Sequence, residues 1–187
     1  MQQLLTGKKR FKEFEGEEWK EERLGFMGQI VSGGTPDTNK EEYWGDEVAW
    51  CIPTDITALT TRYLSATTRK ISNKGLKKSS ANLLPPNSVI VCTRATVGDC
   101  AINTIPMSTN QGFKSIIPKL EYDSEYLYYL ISFNKHYLVR YASGSTFLEI
   151  SKRDFSKLKF MMPLDIKEQQ KIASVLNAAD KEIELLS

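Results

Sequence analysis

Histidine is almost missing: His136 is the one copy in 187 residues. It sits in a Tyr- and Leu-rich segment with no cysteine or second histidine nearby, so zinc chemistry and a histidine-based catalytic pair both lack their parts. Its expected role is structural. Cysteine is also scarce, and Cys51, Cys92 and Cys100 form an odd set without CxxC spacing. In a chain long enough to stabilise itself by burial, that predicts reduced, buried thiols. No apolar run approaches the about eighteen residues of a membrane span, and "MQQLLTGKKRF" has neither the apolar core nor the cleavage site of a signal peptide. The expected location is the cytoplasm.

Catalytic motifs are absent as well. No GxGxxG, Walker loop, HExxH or GxSxG occurs, so dinucleotide, phosphate, zinc-protease and elbow-serine chemistry lack their local geometry. Pro36-Asp37 could open a nuclease metal site, yet no Asp/Glu-x-Lys triplet follows within the next forty residues. "LLPPNS" is not the Asn/Asp-Pro-Pro-aromatic loop with which DNA amino-methyltransferases hold a target base. A small metal-dependent nuclease therefore stays a remote reading, testable with duplex DNA and magnesium.

What is present is 41% apolar content and a net charge of +2, the profile of one ordinary globular domain. The charge is segregated. Residues 1–55 sum to −5, residues 56–120 to +8 with Asp99 as the one acid, and residues 121–187 to −1. "TTRKISNKGLKKSS" holds five cations and no carboxylate. Such a run can be a plain solvated face, but a single-sign field repels itself, which points to a polyanionic partner.

"VAWCIP", "NSVIVCTRATV", "CAINTI", "FKSIIP" and "KLKFMMP" read as strands, with Gly98-Asp99 as a hairpin signal between two of them. "SEYLYYLISFNKHYLVRYA" places Leu127, Leu130, Ile131, Leu138 and Tyr141 on one helical face. Strands first and helices later predict an α+β fold: one domain with a mixed, mostly antiparallel sheet, flanking helices and a C-terminal heptad helix. In that last helix Asp165 is placed to cap and Glu168 to complete a capping box. Ile172, Leu176, Ala179, Ile183 and Leu186 then recur as a heptad seam, which either pairs with another helix or packs back on its own domain. "MQQLLTGKKRF" reads as the end of a helix, with Gly7 and then basic residues.

The remaining side chains suit recognition of nucleic acid. Arg62, Arg69, Lys70, Lys74, Lys77, Lys78 and Lys114 are candidate phosphate contacts, whose engagement predicts a salt slope on the order of −5 to −6. Arg94, Thr96, Asn110, Gln111, Ser145 and Thr146 are candidates for base contact. The alternative readings are that Asn110-Gln111-Gly112 shapes a turn before the next strand and that "SGST" at 143–146 is a flexible helix exit.

In order along nearly the whole chain, "GGTP", "YWGDEVAWCIPTDI", "SANLLPPNSVIVCTRATVGDCAI", "STNQGFKSIIP", "GSTFLEISKRDFSKLKF" and "KEQQKIASVLNAADKEIELL" resemble the specificity subunit of type I restriction-modification enzymes. The match is to one target-recognition domain plus parts of the connecting helices. The resemblance implies that Trp50, Pro53, Asp55, Leu84, Pro85, Gly98, Phe113, Ile150 and Phe155 shape the scaffold. Glu168, Gln169, Ile172, Leu176 and Asp180 match the start of a long pairing helix. It implies a division into residues 1–10 (end of a connecting helix), 11–162 (target-recognition domain) and 163–187 (coiled-coil helix), as in the C-terminal half of such a subunit or a short half-subunit. The implied role is non-catalytic recognition of one half of a bipartite target on double-stranded DNA. Implied partners are the modification (methyltransferase) subunit, the restriction subunit through the complex, and a second half-subunit or copy through the helices. S-adenosylmethionine, ATP and Mg belong to those partners and no cofactor to this chain. The competing reading is an assembly or decoy module that binds the modification subunit through its last helix, with incidental DNA contact.

Overall fold

The computed structural model describes residues 2–142 and 149–186. The opening segment folds as its composition predicts. Helix α1 (Gln2–Leu5) ends before Gly7, whose φ of +69° lets Lys9 N donate to Gln3 O at 3.0 Å. Next come β1 (Lys20–Arg23), the single turn α2 (Leu24–Met27), β2 (Gly28–Ser32) and β3 (Trp44–Cys51). Helix α3 (Pro53–Thr57), β4 (Tyr63–Leu64), β5 (Arg69–Ile71) and α4 (Asn73–Lys77) follow. The Val- and Ile-rich runs become β6 (Val89–Cys92) and β7 (Cys100–Asn103), antiparallel across the loop that holds Gly98. The chain finishes with β8 (Met107–Thr109), β9 (Phe113–Pro118), α5 (Ser124–Phe133), α6 (Lys135–Tyr141), α7 (Lys152–Lys157), β10 (Lys159–Met162) and α8 (Ile166–Leu186).

Three sheets result: β2-β9-β6-β7-β4, β5-β3-β8 and the pair β1-β10. All pairings are antiparallel except β3 with β8 and β4 with β7. The five-stranded sheet is covered on both faces. On one side Val89, Val91, Ile102 and Ile116 meet Tyr126, Leu127, Leu130 and Ile131 of α5. On the other, Ile90, Cys92, Ala101 and Phe113 meet Ala49, Cys51 and Met107 of the three-stranded sheet. Strand β6 therefore reads as an unbroken apolar run, because alternate side chains enter two different cores. The outer face of the three-stranded sheet holds a smaller cluster of Val48, Trp50, Ile71 and Ala81.

The long helix expected over Leu127 to Tyr141 is two helices. Asn134 (φ −94°, ψ 18°) divides them, and its side-chain amide donates to Leu130 O at 2.8 Å, competing with the helical ladder. Leu127, Leu130, Ile131 and Leu138 are buried as predicted, while Tyr141 is exposed and packs edge-on against Tyr137.

Helix α8 corrects two further expectations. Asp165 does cap, its Oδ1 accepting from Lys167 N at 2.7 Å. Glu168 does not reach back to it. This carboxylate is 1% exposed and accepts from Arg10 Nε at 2.9 Å, Arg10 Nη2 at 2.7 Å and Trp19 Nε1 at 3.2 Å. A bidentate, partly buried guanidinium outcompetes one backbone N–H. The heptad seam also divides. Ile172 and Leu176 are buried in the main core of their own domain, whereas Ala179 is exposed and Ile183 is 65% exposed. The Leu186 side chain lies outside the described residues. One seam thus serves as core for its first turns and as surface beyond them.

Candidate nucleic-acid interface

Two loops meet beside the three-stranded sheet. After β2, Gly33 N donates to Phe113 O at 3.3 Å and Gly34 N to Thr109 O at 2.9 Å. Both residues must be glycine, since a Cβ on Gly33 would strike the Asn110 carbonyl and one on Gly34 the Ser80 backbone. This close approach brings Thr35 to the turn before β9, where its hydroxyl donates to Gln111 Oε1. Asn110 shapes that turn: its N donates to Cys51 O at 3.0 Å and its Oδ1 accepts from Gly112 N at 2.9 Å. Of the predicted pair, the exposed side chain is Gln111.

Arg94 lies alongside, its Cβ 3.9 Å from where a Cβ on Gly112 would stand, and it bridges to Glu149 across the backbone. Thr96 is a correction. Its hydroxyl oxygen is buried in the loop before Gly98, against the Cys92 thiol, and faces the protein. Ser145 and Thr146 lie outside the described residues.

The cationic run does not form one surface. Arg62 is 7% exposed, and its Nε donates to Glu125 at 2.7 Å, its Nη1 to Asp180 at 3.2 Å and its Nη2 to Asn177. Burial alone would lower its pKa, but Tyr129, Tyr63 and Glu125 together raise it above its ordinary value. It ties α8 to the domain, with its guanidinium turned to acids of the protein and away from the surface a phosphate would need. Lys74 pairs with Glu42, because α4 packs on the acidic turn 41–43 that precedes β3. Lys114 is 6% exposed on a central strand, and its amine reaches Gln111 O at 3.4 Å, so it supports the turn from within. Lys70, Lys77 and Lys78 are exposed and form no ion pair among the described residues. Arg69 is exposed too, with its guanidinium 3.9 Å from the Trp44 ring centroid and 5.1 Å from that of Trp50.

The scaffold residues singled out by resemblance have identifiable work. Trp50 Nε1 donates to Gly34 O at 2.9 Å and joins sheet to loop. Asp55 accepts from Ile52 N at 2.9 Å and Thr68 N at 3.0 Å, which fixes the entry to β5. Thr35, Trp44 and Glu125 were missed. The adjacent glycines of "GGTP" are the sequence signal that could have exposed the first.

Burial pushes the Cys92 thiol up to about 12 and raises Cys51 as well, helped there by Asp55 and Cys92, so both stay protonated. His136 is exposed on α6, and among the described residues no group of three His, Cys, Asp or Glu is placed to hold a metal. No helix among them is long and apolar enough to cross a membrane.

Residues 16–187 match the family model described as the type I restriction modification DNA specificity domain. The chain is 37% identical over 169 residues to the type I restriction enzyme MjaIX specificity subunit of Methanocaldococcus jannaschii, covering 89% of this chain and 39% of that one. It is 30% identical over 174 residues to the EcoR124I/EcoR124II specificity subunit of Escherichia coli, covering 89% and 42%. It thus spans about 40% of the length of these relatives. In fold it is similar to the HsdS subunit from Thermoanaerobacter tengcongensis, with a TM-score of 0.68 and 19% identity over 90% of this chain and 39% of that one. A chain solved in work on complex assembly and conformational transition of the type I R-M system gives 0.68 and 22% over 90% and 40%. The family match covers most of the sequence, and the chain belongs to the type I restriction modification DNA specificity domain family.

Proposed function

We propose that this chain is a non-catalytic module that recognises one half of a bipartite target on double-stranded DNA. The observation that carries the reading is the loop junction at Gly33–Thr35 and Asn110–Gly112, which presents the exposed Gln111 and is tied through Trp50 to the edge strand β5 with its exposed Arg69 and Lys70. Amide and guanidinium groups on a rigid frame suit base edges, while flexible lysines suit phosphates. Methyl transfer with S-adenosylmethionine and cleavage driven by ATP and Mg would then belong to the modification and restriction subunits. The test is enrichment from duplexes with a randomised stretch. A reproducible motif supports the reading, and retention without sequence preference overturns it.

A second reading, an assembly module acting through α8, is favoured by the exposed Ile183 and Leu185. In that case Ile183→Ser would abolish co-purification with the modification subunit while DNA selection by the chain is lost or absent.

A further inference from the structure

We infer that Arg69 is a specificity-determining residue that reads a guanine, and is not one of the phosphate contacts; the assignment rests on the DNA-recognition reading above. Three observations converge on it. First, its guanidinium is held in place by two indoles that themselves meet edge to face, with ring centroids 5.1 Å apart and an interplanar angle of 87°. Stacking fixes the plane of the cation before any ligand arrives, so little conformational freedom is left to lose on contact.

Second, its N–H groups make no ion pair or hydrogen bond within the described residues, whereas Arg62 is fully engaged and Lys74 is paired. A fixed fork of unengaged donors matches the two acceptors of guanine, O6 and N7, in the major groove. Charge alone would satisfy a phosphate, for which a lysine serves as well.

Third, Arg69 is linked to the recognition loops through Trp50. Arg69 and Trp50 are register partners across β5 and β3, Trp50 Nε1 bonds to Gly34 O, and the next residue, Thr35, bonds to Gln111. The guanidinium and the exposed amide therefore belong to one braced unit.

The experiment compares the full chain with Arg69→Lys and Arg69→Gln on duplexes with a randomised stretch. Arg69→Lys keeps the charge and removes the fork. The expected result is that one G·C position of the wild-type motif disappears while the others persist. Affinity for the wild-type motif should fall roughly 5- to 150-fold, with the salt slope unchanged for the lysine variant. Arg69→Gln should lose the same position. If the lysine variant enriches the complete motif, or weakens all sequences equally, Arg69 is a phosphate contact and the assignment falls while DNA reading stands. If the wild-type chain enriches no motif, DNA reading fails and takes the assignment with it. Unchanged urea unfolding midpoints identify the variants as folded.

Discussion

Lys114 shows what burial does to a single charge. Its amine is held below the ordinary lysine value of 10.5 by burial, with Glu149 pulling it up and Lys152 pushing it further down. The unfolded chain then holds that proton more tightly than the folded one, so stability rises as pH climbs from the lowered value towards 10.5. Lys114→Met is expected to remove this alkaline gain and to be no less stable than the parent at neutral pH. Urea unfolding midpoints at several pH values check both. Arg62 is the opposite case, a buried cation with three acceptors, and Arg62→Met leaves Glu125 and Asp180 with their tyrosine partners but without their cation. It should cost about 2 kcal/mol of stability, because both carboxylates keep some solvent. DNA affinity should stay at the parent level, and a variant that unfolds normally but binds DNA poorly would return Arg62 to the phosphate set. Sequence alone could not separate Arg62 from Arg69. Both lie in one cationic segment, and their different fates depend on Glu125 and Asp180, far along the chain.

Helix α8 behaves as two pieces divided near Asp180. Its first turns are fixed by Arg10 and Trp19 at Glu168, by Ile172, Ala173 and Leu176 in the core, and by Arg62 and Tyr129 at Asp180. Glu168→Ala should cost roughly 3 kcal/mol, since it strands a mostly buried guanidinium, and should speed amide exchange in those turns. Ile183→Ser, beyond the anchored part, should change stability by less than about 0.5 kcal/mol. Equal losses in the two variants would mean that the outer turns are as tightly held as the inner ones. The helix itself was legible from its cap and its period. Where it stops touching the domain was not, because Ile172 and Ile183 obey the same repeat and differ only in what lies opposite. The hairpin β6–β7 was legible for a local reason, its glycine turn, whereas the parallel pairing of β3 with β8 joins residues 49–51 to 107–109 and leaves no local mark.

Over the whole molecule, the folded chain undoes part of the charge segregation. The acidic turn before β3 lies on α4, where Glu42 meets Lys74, and Glu47 of β3 accepts from Asn73 N. With Arg62, Lys74 and Lys114 withdrawn and Arg69 assigned to a base, the proposed phosphate contacts of this region reduce to Lys70, Lys77 and Lys78. The expected slope of log K against log salt is about −3, well short of the value implied by the linear sequence. A slope near −6 would mean that Lys74 abandons Glu42 on binding and that further cations join. The family and the α+β plan were legible in ordered fragments, but the surface charge was not, since it depends on which distant acids the fold brings back.

The indoles beneath Arg69 have a practical consequence. Trp44 and Trp50 lie beneath Arg69, the proposed base reader, while Trp19 sits apart against Glu168 at the root of α8. The protein carries its own optical reporters: emission from the paired indoles should answer to occupancy of the reading edge, and emission from Trp19 to loosening of the helix. With Trp19→Phe to isolate the first signal, a titration needs no dye on either molecule.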